Sequence, residues 1–170
     1  SCSAEEELAE LKKADLVLGI QRAETGLLKS LSPDLAVVTV GHAPPLMERI
    51  GSPKESRTLL FVANLYDPNV LGLQQFLRDD WPSLCSAGWN LQVIGTICSA
   101  FPTSVQNVDF AGVVTDLRSH YVQAAIVLNL AAYGTGLPIK SIEGLAAGKV
   151  VLSRVECSEC FSEEAPLLRF

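Results

Sequence analysis

Runs of valine, isoleucine and leucine recur along this chain, and between them the apolar residues change their spacing. "TLLFVA" (58–63), "NLQVIG" (90–95), "VDFAGVV" (108–114), "AIVLNLA" (125–131) and "KVVLSR" (149–154) each read as a strand, the last being the final one. Helical patterns lie between them. "VLGLQQFLRDDW" (70–81) has Leu71, Phe76 and Leu77 as core candidates. "DLRSHYVQA" (116–124) is a short helix capped by Thr115 or Asp116, and "LPIKSIEGLAAG" (137–148) starts near a proline and stops at Gly148. Upstream, "EEELAELKKA" (5–14) and "RAETGLLKSL" (22–31) read as helices, and "DLVLGI" (15–20) and "LAVVTVG" (35–41) as buried strands. Near-continuous apolar strands separated by helices specify an α/β fold: a Rossmann-like parallel sheet with helices on both faces. Ligands of such sheets sit beyond the carboxyl ends of the strands. The loops 64–69, 95–104, 114–116 and 132–137 are therefore the candidate functional ones.

One stretch breaks the rhythm. "HAPPLMERIGSPKESR" (42–57) holds Pro44, Pro45, Gly51 and Pro53 and is the strongest linker candidate. The chain then divides into 1–45, a linker over 46–57 and a domain over 58–170. Composition allows it: of 170 residues, 48% are hydrophobic and 19% charged, enough to bury a core. A net charge of −6 disfavours nucleic acid as a partner, because phosphate contacts need clustered Lys and Arg. Five cysteines in no regular spacing do not make a disulfide framework, so the cytoplasm is the expected compartment. No apolar run is long enough to span a bilayer.

"YGTGLPIKS" (133–141) looks at first like a phosphate loop of the ATPase kind. Gly134, Lys140 and Ser141 are in register, but Ile139 stands where the second glycine belongs and Pro138 removes a backbone N–H. The strand–loop–helix context still offers an anion the free N–H groups of a helix start. Lys140 and Glu143, three residues apart, share one helical face. A cation beside a carboxylate suits a ligand with both phosphates and sugar hydroxyls, as in a nucleotide sugar. A plain surface ion pair would carry the same spacing.

Four segments in sequence carry a resemblance: "FVANLYDPNVLGLQQFL", "LQVIGT", "VDFAGVVTDLRSHYVQAAIVLN" and "YGTGLPIKSIEGLAAGKVVLS". Over residues 58–154 they resemble the C-terminal, donor-binding domain of retaining glycosyltransferases of the GT-B fold, group 1 (family 4). "ADLVLGIQRAETGLLKSLSPDLAVVTVG" is similar to the end of the N-terminal domain of such enzymes. The resemblance implies the donor part of a hexosyltransferase-type enzyme that moves a sugar from a nucleotide-diphosphate sugar to a glycan or lipid-linked acceptor. It implies Glu143 on the donor ribose and Lys140 near the phosphates, the two candidate catalytic residues. Gly134, Thr135 and Gly136 match the loop over phosphates and sugar. Gly95 and Thr96 match the loop near the base, and Val114, Asp116 and Leu117 the turn that reads the base edge. Asn64 to Asn69 match a loop that closes on the phosphates. It further implies no metal or other cofactor, an acceptor domain ahead of residue 1, and peripheral association of the full enzyme with the inner membrane face. The part represented by this chain is then not expected to turn over alone.

There are departures. Thr135 stands where many members carry a first glutamate, Ala63 replaces a glycine and Val150 a proline. The loop 64–69 has no Lys or Arg, which leaves the diphosphate to Lys140, helix termini and Arg118. These keep open a non-catalytic module that binds a nucleotide or a protein; a second alternative, a nucleotide-sugar epimerase of the same fold, would need carboxylates and histidines around the cleft. Elsewhere, His42 and His120 read as surface residues. Cys157 and Cys160 form a C-x-x-C among four glutamates, which raise rather than lower a thiol pKa, and no second pair completes a zinc site. Asp79 and Asp80 read as a solvated helix end.

Overall fold

The computed structural model describes residues 3–44, 53, 55–101, 104–133, 139–154 and 167–169. It divides into two compact units, Ser1–Ala43 and Pro44–Phe170. Most of the expected linker, 45–52 and residue 54, lies outside the described residues.

In the first unit, α1 (Ala4–Leu11) opens on a capping box: Ser3 Oγ accepts the Glu6 N–H, and the Glu6 carboxylate accepts the Ser3 N–H. Two short strands, β1 (Val17–Gly19) and β2 (Val37–Thr39), pair in parallel, joined by α2 (Arg22–Leu31). Thr25 on α2 is buried, and its hydroxyl accepts from Thr39 Oγ1 at 2.8 Å. The strands were expected to be buried on both faces, and they are not. Leu16, Leu18 and Ile20, with Val38 and Val40, share the period-two face opposite Val17, Val37 and Thr39, and all five are exposed.

The second unit is a parallel six-stranded sheet in the order β5-β4-β3-β6-β7-β8. Its strands are β3 (Thr58–Val62), β4 (Asn90–Ile94), β5 (Val108–Gly112), β6 (Ile126–Asn129), β7 (Val150–Ser153) and β8 (Leu167–Arg169). β3 pairs in register with β4 and β6. Successive residues of β3 serve opposite faces, as the pleat requires. Leu59, Phe61 and Ala63 join Leu73, Phe76 and Trp81 of α3 (Asp67–Asp79) and α4 (Trp81–Ser86). Leu60 and Val62 join Tyr121, Ala124 and Ala147, from α5 (Arg118–Gln123) and α6 (Ile139–Ala146) or just beyond their ends.

The structure corrects several expectations. α3 begins at Asp67, three residues early, because Pro68 fits a first turn whose N–H groups lack partners anyway. Asn69 is therefore helical rather than in a loop. Leu71 is exposed, and Leu73, fully buried, takes its expected place. α4 follows α3 directly after Asp80, and "KVVLSR" is not the last strand, since β8 pairs with β7. α5 starts at Arg118, and Asp116 serves it from outside: its Oδ1 accepts the Arg118 N–H at 2.9 Å. His120 is half-buried rather than solvated, its Nδ1 2.8 Å from Gln92 Oε1, and Gln92 Nε2 donates to Asp109 Oδ2 at 3.1 Å.

Candidate functional site

Counted from β3, the sheet order is 3-2-1-4-5-6, the doubly wound arrangement whose order reverses between its first and fourth strands. Here these are β3 and β6. All strands are parallel, so their carboxyl ends share one edge, and the crevice there opens between the loops after β3 and β6.

On one side of the reversal, side-chain and backbone hydrogen bonds tie the loops together. Asn69 Nδ2 donates to Asn64 O at 3.2 Å and to Asn64 Oδ1 at 2.8 Å, which brings these two predicted residues into contact. Thr96 Oγ1 accepts the Leu65 N–H at 2.8 Å, joining the exits of β3 and β4. Gly95 has φ +113°, donates its N–H to Gly112 O at 2.7 Å, and faces the Ala63 carbonyl so closely that a Cβ would collide with it. Only glycine meets both demands. Val114 and Leu117 lie half-buried against the Leu60 cluster, with Asp116 exposed between them.

On the other side, the Ala132 N–H donates to Pro68 O at 3.0 Å, so the first turn of α3 rests on the exit of β6. The predicted loop residues Gly134, Thr135 and Gly136 lie outside the described residues. α6 follows, with Lys140 in its first turn and Lys140 Nζ 3.1 Å from Glu143 Oε2. The Lys140 side chain is 45% exposed and that of Glu143 21%. Both can meet a ligand, and neither sits in the core. Gly144 lets α6 lie close on the sheet, its Cα facing Val127 and Val151.

Tyr121 was missed by the sequence reading, although it ends the third quoted segment's "DLRSHY". It is 2% exposed, and its hydroxyl makes no hydrogen bond. Burial, then the neighbouring Glu143 carboxylate, hold its proton well above the usual tyrosine range. Ser141 Oγ is likewise buried without a partner. His42 is exposed in the first unit, and Asp79 is taken up by a bidentate pair with Arg78 at 2.7 Å. Cys157 and Cys160 lie outside the described residues, and Cys85 and Cys98 are free thiols. Among the described residues no group of three or more His, Cys, Asp or Glu could hold a metal ion. No helix among them is long and apolar enough to cross a membrane.

Chemically, this edge offers a carboxylate that can accept from a pair of hydroxyls. Beside it are an ammonium and a helix start that favour an anion. Residues 56–166 match the family described as Glycosyl transferases group 1. The chain belongs to this family. No curated protein matches it in sequence. Solved glycosyltransferases of the GT-B kind share its fold. TarM superposes with a TM-score of 0.64 at 10% identity, over 97% of this chain and 35% of its own. An S. aureus TarM variant in complex with fondaparinux, α-GlcNAc-glycerol and UDP gives 0.55 at 11%, over 86% and 31%. The lipopolysaccharide outer core galactosyltransferase WaaB gives 0.57 at 16%, over 90% and 45%. Trehalose-6-phosphate synthase, studied for glycosyltransfer with retention, gives 0.61 at 11%, over 88% and 48%. This group 1 glycosyltransferase chain thus spans 31% to 48% of the length of these structures.

Proposed function

We propose that the chain is the donor-binding part of a retaining glycosyltransferase. It takes the sugar from a nucleotide-diphosphate sugar and passes it to a glycan or lipid-linked acceptor held by an N-terminal domain. The observation that carries this reading is the Lys140–Glu143 pair in the first turns of α6, beside the point where the strand order reverses. In this reading Glu143 accepts the ribose hydroxyls. Lys140 and the start of α6 stabilise the charge that develops on the departing diphosphate. Gly134, Thr135 and Gly136 close over phosphates and sugar, Asn64 and Asn69 face the phosphates, and Gly95, Thr96, Val114, Asp116 and Leu117 frame the base. The reading takes no metal, a cytoplasmic enzyme, and a membrane face as its working surface. TarM's complex with UDP and the synthase's retention support it by kinship of fold.

The uncovered face of β1 and β2 supports the assignment of the first unit to the end of that N-terminal domain. Parallel sheets are buried on both faces, so a two-stranded one with five exposed apolar residues on one side fits a larger sheet.

Calorimetric titration of the chain with UDP, GDP and ADP tests the donor site: one diphosphate binds, and Glu143→Ala weakens it about tenfold or more. In the intact enzyme the same substitution raises the donor KM. No binding of any of the three sinks the reading. Binding without sugar transfer by the intact protein favours the non-catalytic module instead, which the cation-free loop 64–69 also suits.

A further inference from the structure

A buried hydroxyl without a partner is costly, and Tyr121 keeps one. Its ring belongs to the Leu60 cluster and would pack as well as phenylalanine. After burial, the charge and hydrogen-bonding reach of the Glu143 carboxylate raise the Tyr121 pKa, so the two groups are close, yet the hydroxyl falls outside strict hydrogen-bond geometry. Glu143 meanwhile has Oε2 occupied by Lys140. The carboxylate therefore has one donor in place and a second waiting in the core behind it.

We infer that Tyr121 is a positioning residue for Glu143: when a ligand's phosphates draw Lys140 away, the tyrosine O–H donates to the freed carboxylate. The deepening rests on the donor-site reading above. A carboxylate has about four acceptor positions, and a ribose diol uses two. Released from Lys140, Glu143 would keep its rotamer freedom unless another group fixed it. An O–H to carboxylate bond is short and charge-assisted, which suits that task. Tyr121 comes from α5, the neighbouring helix on the same face of the sheet, so it orients Glu143 independently of α6.

The test titrates the full chain, as Tyr121→Phe, Glu143→Gln and the double variant. The probes are UDP, GDP and ADP, each against its 2′,3′-dideoxy counterpart. Tyr121→Phe is expected to weaken the ribonucleotide about five- to twentyfold and to leave the dideoxy form unchanged. It should add nothing to Glu143→Gln. Its melting temperature should not fall, since only an unpaired oxygen is lost. A genetically placed 3-fluorotyrosine at 121 keeps the fold and the hydroxyl while making the O–H more acidic. It should shift ribonucleotide affinity alone, which gives a second reading should Tyr121→Phe fold poorly. If Glu143→Gln weakens binding and Tyr121→Phe does not, the inference is overturned and the donor site stands. Equal losses for ribo and dideoxy forms mark a merely structural tyrosine and also overturn it. If Glu143→Gln has no effect, the parent reading fails and takes this one with it.

Discussion

Gly95 is where one residue decides whether the site edge can form. Its φ of +113° and the facing Ala63 carbonyl exclude a side chain twice over. Gly95→Ala is expected to cost on the order of 3 kcal/mol, read from the urea midpoint. Next to it, Thr96→Val loses the acceptor of the Leu65 N–H and should cost about 1 kcal/mol. Lys149 offers a test through pH. It is 2% exposed, its Nζ donates to Val122 O at the end of α5, and burial lowers its pKa. A folded pKa below the unfolded value means that the unfolded chain holds the proton more tightly. Stability is thus reduced at neutral pH and recovers as pH rises from the lowered folded pKa to the usual lysine value. Urea unfolding of wild type and Lys149→Met across the alkaline range should show the wild type gaining on the variant as pH rises. A difference that is flat with pH would contradict the burial account.

At the scale of elements, α3 holds the two halves of the reversal together. Gly72 faces the Leu130 carbonyl, and Pro68 O accepts the Ala132 N–H, so the helix is seated on the exit of β6. A methyl at Gly72 would strike that carbonyl. Gly72→Ala should lower stability by about 2–3 kcal/mol in a thermal melt and, on the donor-site reading, weaken nucleotide binding with it, because the exit of β6 at Leu130 shifts. The sequence made the strands legible, since β3, β6 and β7 are nearly continuous apolar runs of the kind a parallel sheet demands, while β4 and β5 keep β-branched and aromatic residues among polar ones. The Lys140–Glu143 contact was legible from spacing, and the family resemblance singles out Gly95. The sequence did not reveal the start of α3. Proline reads as a breaker unless its place in the first turn is known. Leu71 and Leu73 both fit an amphipathic helix, and only the packed sheet distinguishes them. Tyr121 escaped notice because its proposed role depends on α5 and α6 serving the same face of the sheet, which brings together residues 22 positions apart in the sequence.

Across the whole molecule, the two units differ in how their apolar residues are spent. The six-stranded sheet is covered on both faces by its own helices. The β1–β2 pair is covered by α2 on one face only, leaving Leu18 and Val38, partners in register, exposed on the other. On the proposed reading a covering element comes from a larger N-terminal domain, and this makes a prediction that depends on context. In the 170-residue chain, Leu18→Ser should leave the unfolding transition unchanged and reduce aggregation, since the side chain is 60% exposed. In the intact protein the same change should cost about 2 kcal/mol, because the leucine is then taken from a buried interface. Paired melts of both forms, with and without the substitution, read the difference directly. Equal tolerance in the two would mean that the face stays open to solvent and that the first unit is not part of a larger sheet.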